Sequence, residues 1–401
     1  MVVDEKITVK APGKILWLGG YSVIEKPNIS YTTTVDAFVH ATIKPIREKE
    51  VVISVPQFGQ VYRSEVDLHT GKLANEAPQE LALIKTAVEI GVAYAIGLGH
   101  AARGFEIETK NDEPLLYKIN PHTKKLSKSG LGSSAAVTVA TIGAVLSEFE
   151  VDLGEKEVVH KLAQLAHSIA TGKVGSGFDI AAATYGSIIY SRYSPEVLSK
   201  FREENIVEDV HRIVKHKWDH HIEPLEMPSQ FKLSMATFFD ESAVTVSLLG
   251  KVNELKASNP EKYYEIIDRI NQENVSALSS LRKIATEQES AENLEKFRDH
   301  FDNGRILTKQ LGEASGAQIE PDEATTLIEE SKRNGAFVAK LPGAGGRDSI
   351  TALSTDAALS KKVREFFSKQ SMLEMLNVNF QHRGFSVVTD REKRGKTLMA
   401  T

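Results

Sequence analysis

An α+β fold in two domains is what this sequence predicts, and three observations carry that expectation. The chain has 401 residues, more than a single hydrophobic core usually serves. Its first half interleaves β-rich and helical runs without the strict alternation of βαβ units. Its second half is mostly helical, with short strands between the helices. The change in texture puts a boundary near residue 225 and gives domains 1–225 and 226–401.

Taken in order, residues 7–10 read as a strand cut off by Ala11-Pro12-Gly13. A strand pair over 30–46 follows, with alternation in Phe38-Val39-His40-Ala41-Thr42-Ile43. Runs 51–55 and 61–68 make a hairpin, 79–98 a buried helix rich in Ala and Leu, and 104–109 a strand with Phe105 and Ile107 on one face. Helices are expected over 135–149 and 155–171, and a β-rich run over 187–193. The polar stretch 194–223 reads as helical. His216 and His220 lie four apart there, with no acid or third ligand beside them, so this is a solvated face rather than a metal site. The second half opens with a strand at 232–239. Helices over 244–257, 260–282, 291–311 and 321–334 follow, then strands at 337–340 and 349–354, a helix at 357–369 and a closing strand at 385–389.

The net charge of −5 argues against nucleic acid as the main partner, although a local basic pocket can still hold a phosphorylated small molecule. Without cysteine the chain has no disulfide, thiol nucleophile or zinc–thiolate site. No apolar run is long enough to span a bilayer, and the first residues lack a signal-peptide core, so a cytoplasmic enzyme without a membrane partner is expected, as monomer or homodimer.

The stretch Lys128-Ser129-Gly130-Leu131-Gly132-Ser133-Ser134-Ala135 is where chemistry is expected. Gly130 and Gly132 leave backbone N–H groups bare to close on a phosphate. The helix that follows adds its partial positive charge and unpaired donors. Ser133 and Ser134 stand where a metal bound to phosphate needs oxygen ligands. A Gly-Ser turn capping an ordinary helix is the plainer reading of the loop alone. Three glycines within Gly172–Gly177 give an open backbone that brings Asp179 into a confined place.

Three separated segments, 10–20, 128–137 and 340–350, resemble in order and wording the GHMP kinase superfamily. Lys10-Ala11-Pro12-Gly13-Lys14 is similar to its opening, Gly130-Leu131-Gly132-Ser133-Ser134-Ala135 to its phosphate loop, and Gly343-Ala344-Gly345-Gly346 to its third loop. A Gly-x4-Gly-Lys-Ser/Thr P-loop is absent. The branch it resembles most phosphorylates 5-phosphomevalonate. Lys128, the stretch 137–141, Gly175 to Ala181, Ile319-Glu320-Pro321 and Asp348 carry that likeness. One segment departs from it: where the family has Trp-Thr-Gly…Ala-Ser-Thr, this chain has Phe238-Phe239-Asp240-Glu241-Ser242-Ala243-Val244-Thr245, which bears on substrate rather than fold.

The resemblance implies a ribosomal protein S5 domain 2-like N-terminal domain and a ferredoxin-like, helix-rich C-terminal domain. It implies ATP- and Mg²⁺-dependent formation of 5-diphosphomevalonate in the mevalonate pathway of isoprenoid biosynthesis. Phosphorylation of mevalonate and decarboxylation of a mevalonate phosphate are the alternatives within the superfamily. Lys14 and Asp179 take the catalytic roles. Lys14 supplies charge to the transferring phosphoryl or the acceptor phosphate, and Asp179 deprotonates or orients the acceptor. Lys128, Gly130, Leu131, Gly132, Ser133, Ser134 and Ala135 hold the ATP phosphates, with Ser134 on the metal. Lys14, Ser22, Asp179, Arg192, Gly343, Ala344 and Gly345 bind the substrate, and Arg192 is placed to clamp its phosphate bidentately. Lys340 and Asp348 flank the third loop.

Overall fold

The computed structural model describes residues 6–115, 118–119, 126–127, 129–239, 245–286 and 290–389. A nine-stranded sheet organises the first half. Its long central hairpin is β1 (Ile7–Leu18) and β2 (Ile29–Pro45). A second hairpin, β3 (Glu50–Val55) and β4 (Gln60–Glu65), joins β2 through β5 (Phe105–Asn111), and β3 runs parallel to β5. Two short strands, β6 (Lys118–Ile119) and β7 (Leu126–Ser127), pair with each other. β8 (Ile188–Ser191) pairs with the start of β2 and carries β9 (His221–Pro224) on its other edge.

Helices α2 (Ser133–Glu148) and α4 (Phe178–Tyr185) pack against this sheet, α1 (Ala82–Gly97) and α3 (Lys156–Thr171) pack on α2 and on each other, and α5 (Ile206–Lys215) packs on α1. α2 is the central helix. It is buried nearly all round because its residues are almost all small or apolar, and Gly143 lets Val9 of β1 approach its backbone.

In the second half, β10 (Lys232–Phe238), β11 (Val338–Lys340), β12 (Ser349–Ser354) and β13 (Leu373–Leu376) form an antiparallel sheet in the order β11-β12-β10-β13. Helices α6 (Thr245–Ser258), α7 (Pro260–Thr286) and α8 (Ala291–Ser315) pack together beside it. α9 (Asp322–Arg333) and α10 (Ala357–Ser368) cover the sheet over a core that includes Ile328, Ala352, Val363 and Phe367.

Four features differ from the sequence expectation. First, β1 does not stop at Pro12. β15 pairs with it only as far as Lys10, so past that point β1 has an open side that tolerates a residue with no N–H, and the register slips by a bulge between Pro12 and Lys14. Second, the strand pair expected over 30–46 is one long strand, β2. Third, stretch 194–223 is α-helical only over α5, the part whose apolar residues recur at helical spacing, with single 3-10 turns at Pro195–Val197 and Glu203–Asn205. His221 belongs to β9, and among the described residues no group of His, Asp and Glu is arranged to hold a metal. Fourth, the closing strand does not complete the second sheet. β14 (Phe380–Gln381) and β15 (Ser386–Thr389) return to pair with β2 and β1 of the first.

The cores of the two halves merge. Phe297 stacks on Phe337 at 6.3 Å between centroids and lies 5.8 Å from both Phe231 and Phe301, while Trp17 of β1 approaches Phe301 at 6.5 Å. We predict that Phe297→Ala costs about 3–5 kcal/mol of stability, the usual range for truncating a buried aromatic. A urea-unfolding titration reads this as a lower midpoint at unchanged slope.

Candidate active site

β1 carries Lys14 into the interior just after its bulge. The side chain is only 6% exposed, and its Nζ donates to the Gly130 carbonyl at 2.9 Å. Its backbone N–H, diverted from strand pairing, donates to the Leu131 carbonyl at 2.8 Å. The opening segment and the phosphate loop therefore share one lysine as their fastener. Burial lowers the Lys14 pKa below the ordinary lysine value, while the charges of Asp179 and Asp348 oppose that shift. The Phe178 ring centroid lies 5.8 Å from the ammonium.

Gly132 has φ +78°, and a Cβ there would meet Lys14 Cε at 2.8 Å. Glycine is needed both for the left-handed turn into α2 and for the lysine to pass. Ser133 and Ser134 begin α2 and are partly exposed, with the helix N–H groups behind them, and Ala135 is buried beneath. The loop ahead of α4 brings Asp179 to that helix's first turn, where its Oδ1 accepts from the Ile180 N–H at 2.9 Å.

The third loop closes on both of the others. Gly130 faces Ser349 Oγ and Asp348 Cβ, 3.1 and 3.4 Å from where its own Cβ would stand. The Tyr21 hydroxyl donates to the Ala344 carbonyl at 2.7 Å, and Gly20 lies against the Gly343 carbonyl. Lys340 Nζ donates to the Trp17 carbonyl at 3.0 Å, and burial pushes its pKa down to about 8 against the pull of Glu320. Gly343, Ala344 and Gly345 thus face the turn that ends β1.

The structure accordingly gathers Lys14, Gly130, Leu131, Gly132, Ser133, Ser134, Ala135 and Asp179 in one place, with Gly343, Ala344 and Gly345 at the adjoining turn. Lys128 lies outside the described residues, as do Asp240 to Val244. Ser22 is fully buried, and its hydroxyl accepts from Asn274 Nδ2 at 3.2 Å, so it faces α7. Arg192 is 7% exposed and donates to the carbonyls of Val174 at 3.0 Å and Ile24 at 3.4 Å. Sequence reasoning missed Tyr21, whose φ of +64° is unusual for a residue with a side chain. Its signal was its place directly after Gly19-Gly20.

Residues 82–187 match the family described as GHMP kinases N terminal domain, and residues 290–371 match GHMP kinases C terminal. A phosphomevalonate kinase from Saccharolobus solfataricus is 30% identical over 369 residues, spanning 91% of this chain and 95% of the relative. The chain belongs to the GHMP kinases. Within that family its relatives include two further phosphomevalonate kinases. The one from Candida albicans is 27% identical over 96% of both chains, and the peroxisomal one from Arabidopsis thaliana is 26% identical over 92% of this chain and 94% of its own. In fold, the chain is similar to Streptococcus pneumoniae phosphomevalonate kinase in complex with phosphomevalonate and AMPPNP, with TM-score 0.72 and 21% identity over 93% of this chain and 99% of that one.

We predict that Gly132→Ala lowers kcat about 10²-fold, because the new Cβ displaces the Lys14 ammonium from its carbonyl. The strained backbone adds about 1–2 kcal/mol of destabilisation. Steady-state kinetics beside a thermal melt separate the two effects.

Proposed function

We propose that this chain transfers the γ-phosphoryl group of ATP to the phosphate of (R)-5-phosphomevalonate, forming (R)-5-diphosphomevalonate and ADP in the mevalonate pathway of isoprenoid biosynthesis. The observation that carries the reading is similarity over 91–96% of the chain to curated phosphomevalonate kinases, at 26–30% identity, in a chain that buries Lys14 under the electrostatic influence of Asp179.

An acceptor phosphate oxygen attacks the γ-phosphorus, and the bond from that phosphorus to the β–γ bridging oxygen breaks, with ADP leaving. Charge spreads over the equatorial oxygens, so catalysis is mainly positioning and neutralisation. Lys14 supplies a desolvated cation to the transferring phosphoryl group. The N–H groups around Gly130 to Ala135 cradle the nucleotide phosphates, with Lys128 as the further cation of that loop. The acceptor's second pKa is about 6, so it is largely dianionic at neutral pH and needs little base catalysis. Asp179 then holds Lys14 charged and directs it toward the acceptor. Gly343 and Ala344 supply backbone donors from the second half, and Gly345, whose N–H closes the turn on the Pro342 carbonyl, shapes the loop that presents them.

A magnesium ion fits the donor set. The described residues hold no cluster of carboxylates or imidazoles arranged to cage it, but Ser133 and Ser134 offer hydroxyl oxygens at the helix start, Ser134 being our choice of ligand. When bound, Mg²⁺ neutralises phosphate charge.

An ADP-release assay run with phosphomevalonate and with mevalonate decides the substrate. Turnover of phosphomevalonate is expected. Turnover of mevalonate alone would make the chain a mevalonate kinase, and release of carbon dioxide would make it a decarboxylase. Lys14→Met is expected to reduce kcat about 10²–10³-fold, the usual cost of removing one transition-state charge donor. Asp179→Asn is expected to reduce kcat about 10²-fold with little change in the KM for ATP. Full turnover in that variant would remove Asp179 from the mechanism.

A further inference from the structure

Residues 174–177 lead directly into the helix that carries Asp179, yet they have no regular secondary structure of their own. Three buried side chains from other elements hold their carbonyls. Gln164 of α3 donates through Nε2 to the Gly177 carbonyl at 2.8 Å. The Tyr190 hydroxyl, from β8, donates to the Ser176 carbonyl at 3.1 Å, and Arg192, just past β8, donates through Nη2 to the Val174 carbonyl at 3.0 Å.

Two of these holders make further bonds of their own. The carbonyl of Gly177 dictates which way the Gln164 amide points, since the reverse orientation would set oxygen against oxygen. Its second amide hydrogen then goes to His160 Nε2 at 3.0 Å, while its Oε1 accepts from the Tyr193 hydroxyl at 3.3 Å. Arg192 also reaches the Ile24 carbonyl at 3.4 Å, which ties this loop to the segment following Tyr21. Its Nε is buried without a hydrogen-bond partner among the described residues. Burying a guanidinium to hold carbonyls is costly, and a loop with no positional task could leave those carbonyls to water. Gly177, at φ +81°, leaves no space here for a side chain. A Cβ would stand 2.7 Å from the Tyr190 oxygen and 2.8 Å from Gln164 Nε2.

The Asp179 carboxylate accepts a hydrogen bond from the N–H of the next residue, Ile180. Its placement relative to Lys14 is therefore inherited from the backbone that delivers it. We infer that Gln164, Tyr190 and Arg192 are positioning residues for phosphoryl transfer, clamping residues 174–177 so that Asp179 meets Lys14 and the acceptor at a fixed distance. Arg192 thereby acts on the reaction through the loop rather than on the substrate phosphate. The inference rests on the role proposed for Asp179.

The test is a double-mutant cycle on the full chain with phosphomevalonate and ATP. Tyr190→Phe removes one hydroxyl and Gln164→Met removes the amide at similar length, so each is expected to fold. Each should lower kcat about tenfold while the KM for ATP stays within about twofold, and together they should lower kcat about 10²-fold. In the Asp179→Asn background neither should cost more than about twofold, because the carboxylate they position is already gone. Arg192→Lys should likewise lower kcat and leave the KM for phosphomevalonate unchanged. Unchanged kcat in both Tyr190→Phe and Gln164→Met would overturn the inference. So would losses that persist in full on top of Asp179→Asn, or an Arg192→Lys effect confined to the KM for phosphomevalonate. Asp179→Asn alone reports on the underlying role of the carboxylate, so failure at that level is read separately.

Discussion

The structure turns on the burial of one ammonium group. Lys14 Nζ sits on the Gly130 carbonyl, and its backbone N–H sits on the Leu131 carbonyl. Desolvating a lysine this far is costly unless charge and hydrogen bonds compensate. Two carboxylates, Asp179 and Asp348, act on it electrostatically, each from a different segment of the chain. The protein therefore holds a poorly hydrated cation beside the start of α2, where it acts on phosphate far more strongly than a surface lysine could. That preorganisation is what phosphoryl transfer requires, since the reacting group needs charge placed in advance more than it needs covalent help.

The rest of the fold keeps this arrangement closed. Lys340 reaches from β11 to the Trp17 carbonyl, and Tyr21 reaches from the first segment to the Ala344 carbonyl, so the two halves exchange hydrogen bonds across the turn that ends β1. The final strands return to β1 and β2 after the second sheet is complete. Trp17 against Phe301, backed by the cluster of Phe297, Phe231 and Phe337, supplies the apolar part of the same junction. Pulling the halves apart would expose that cluster and leave the donors at Lys340 and Tyr21 without their carbonyls.

Much of this was legible in the sequence because the chemistry demands unusual local wording. Gly130 and Gly132 beside two serines, Lys14 after Pro12-Gly13, and the Gly343–Gly346 run cannot be spelled many other ways. The long helices were equally plain from their periodicity. What escaped was set by partners remote in sequence. Pro12 looked like a strand terminator because the open side that tolerates it depends on where β15 stops. β14 was invisible because two residues are too few for a pattern to repeat, and β13, Leu373-Glu374-Met375-Leu376, is spelled in residues that favour helix. The resemblance offers Ser22 and Arg192 as substrate contacts, but no local pattern shows what holds them. Their actual partners, Asn274 and the carbonyls of Val174 and Ile24, are fixed only by the tertiary fold.

The central claim is that three segments distant in the chain form one phosphoryl-transfer site around Lys14. It is tested most directly by a crystal structure of this protein with a nonhydrolysable ATP analogue and phosphomevalonate bound together. The expected result places the β- and γ-phosphates against the N–H groups of residues 131–134, with Lys14 Nζ in hydrogen-bond range of the γ-phosphoryl group and the acceptor phosphate between it and Asp179. Nucleotide phosphates bound away from the start of α2, or a Lys14 side chain that touches neither ligand, would contradict it.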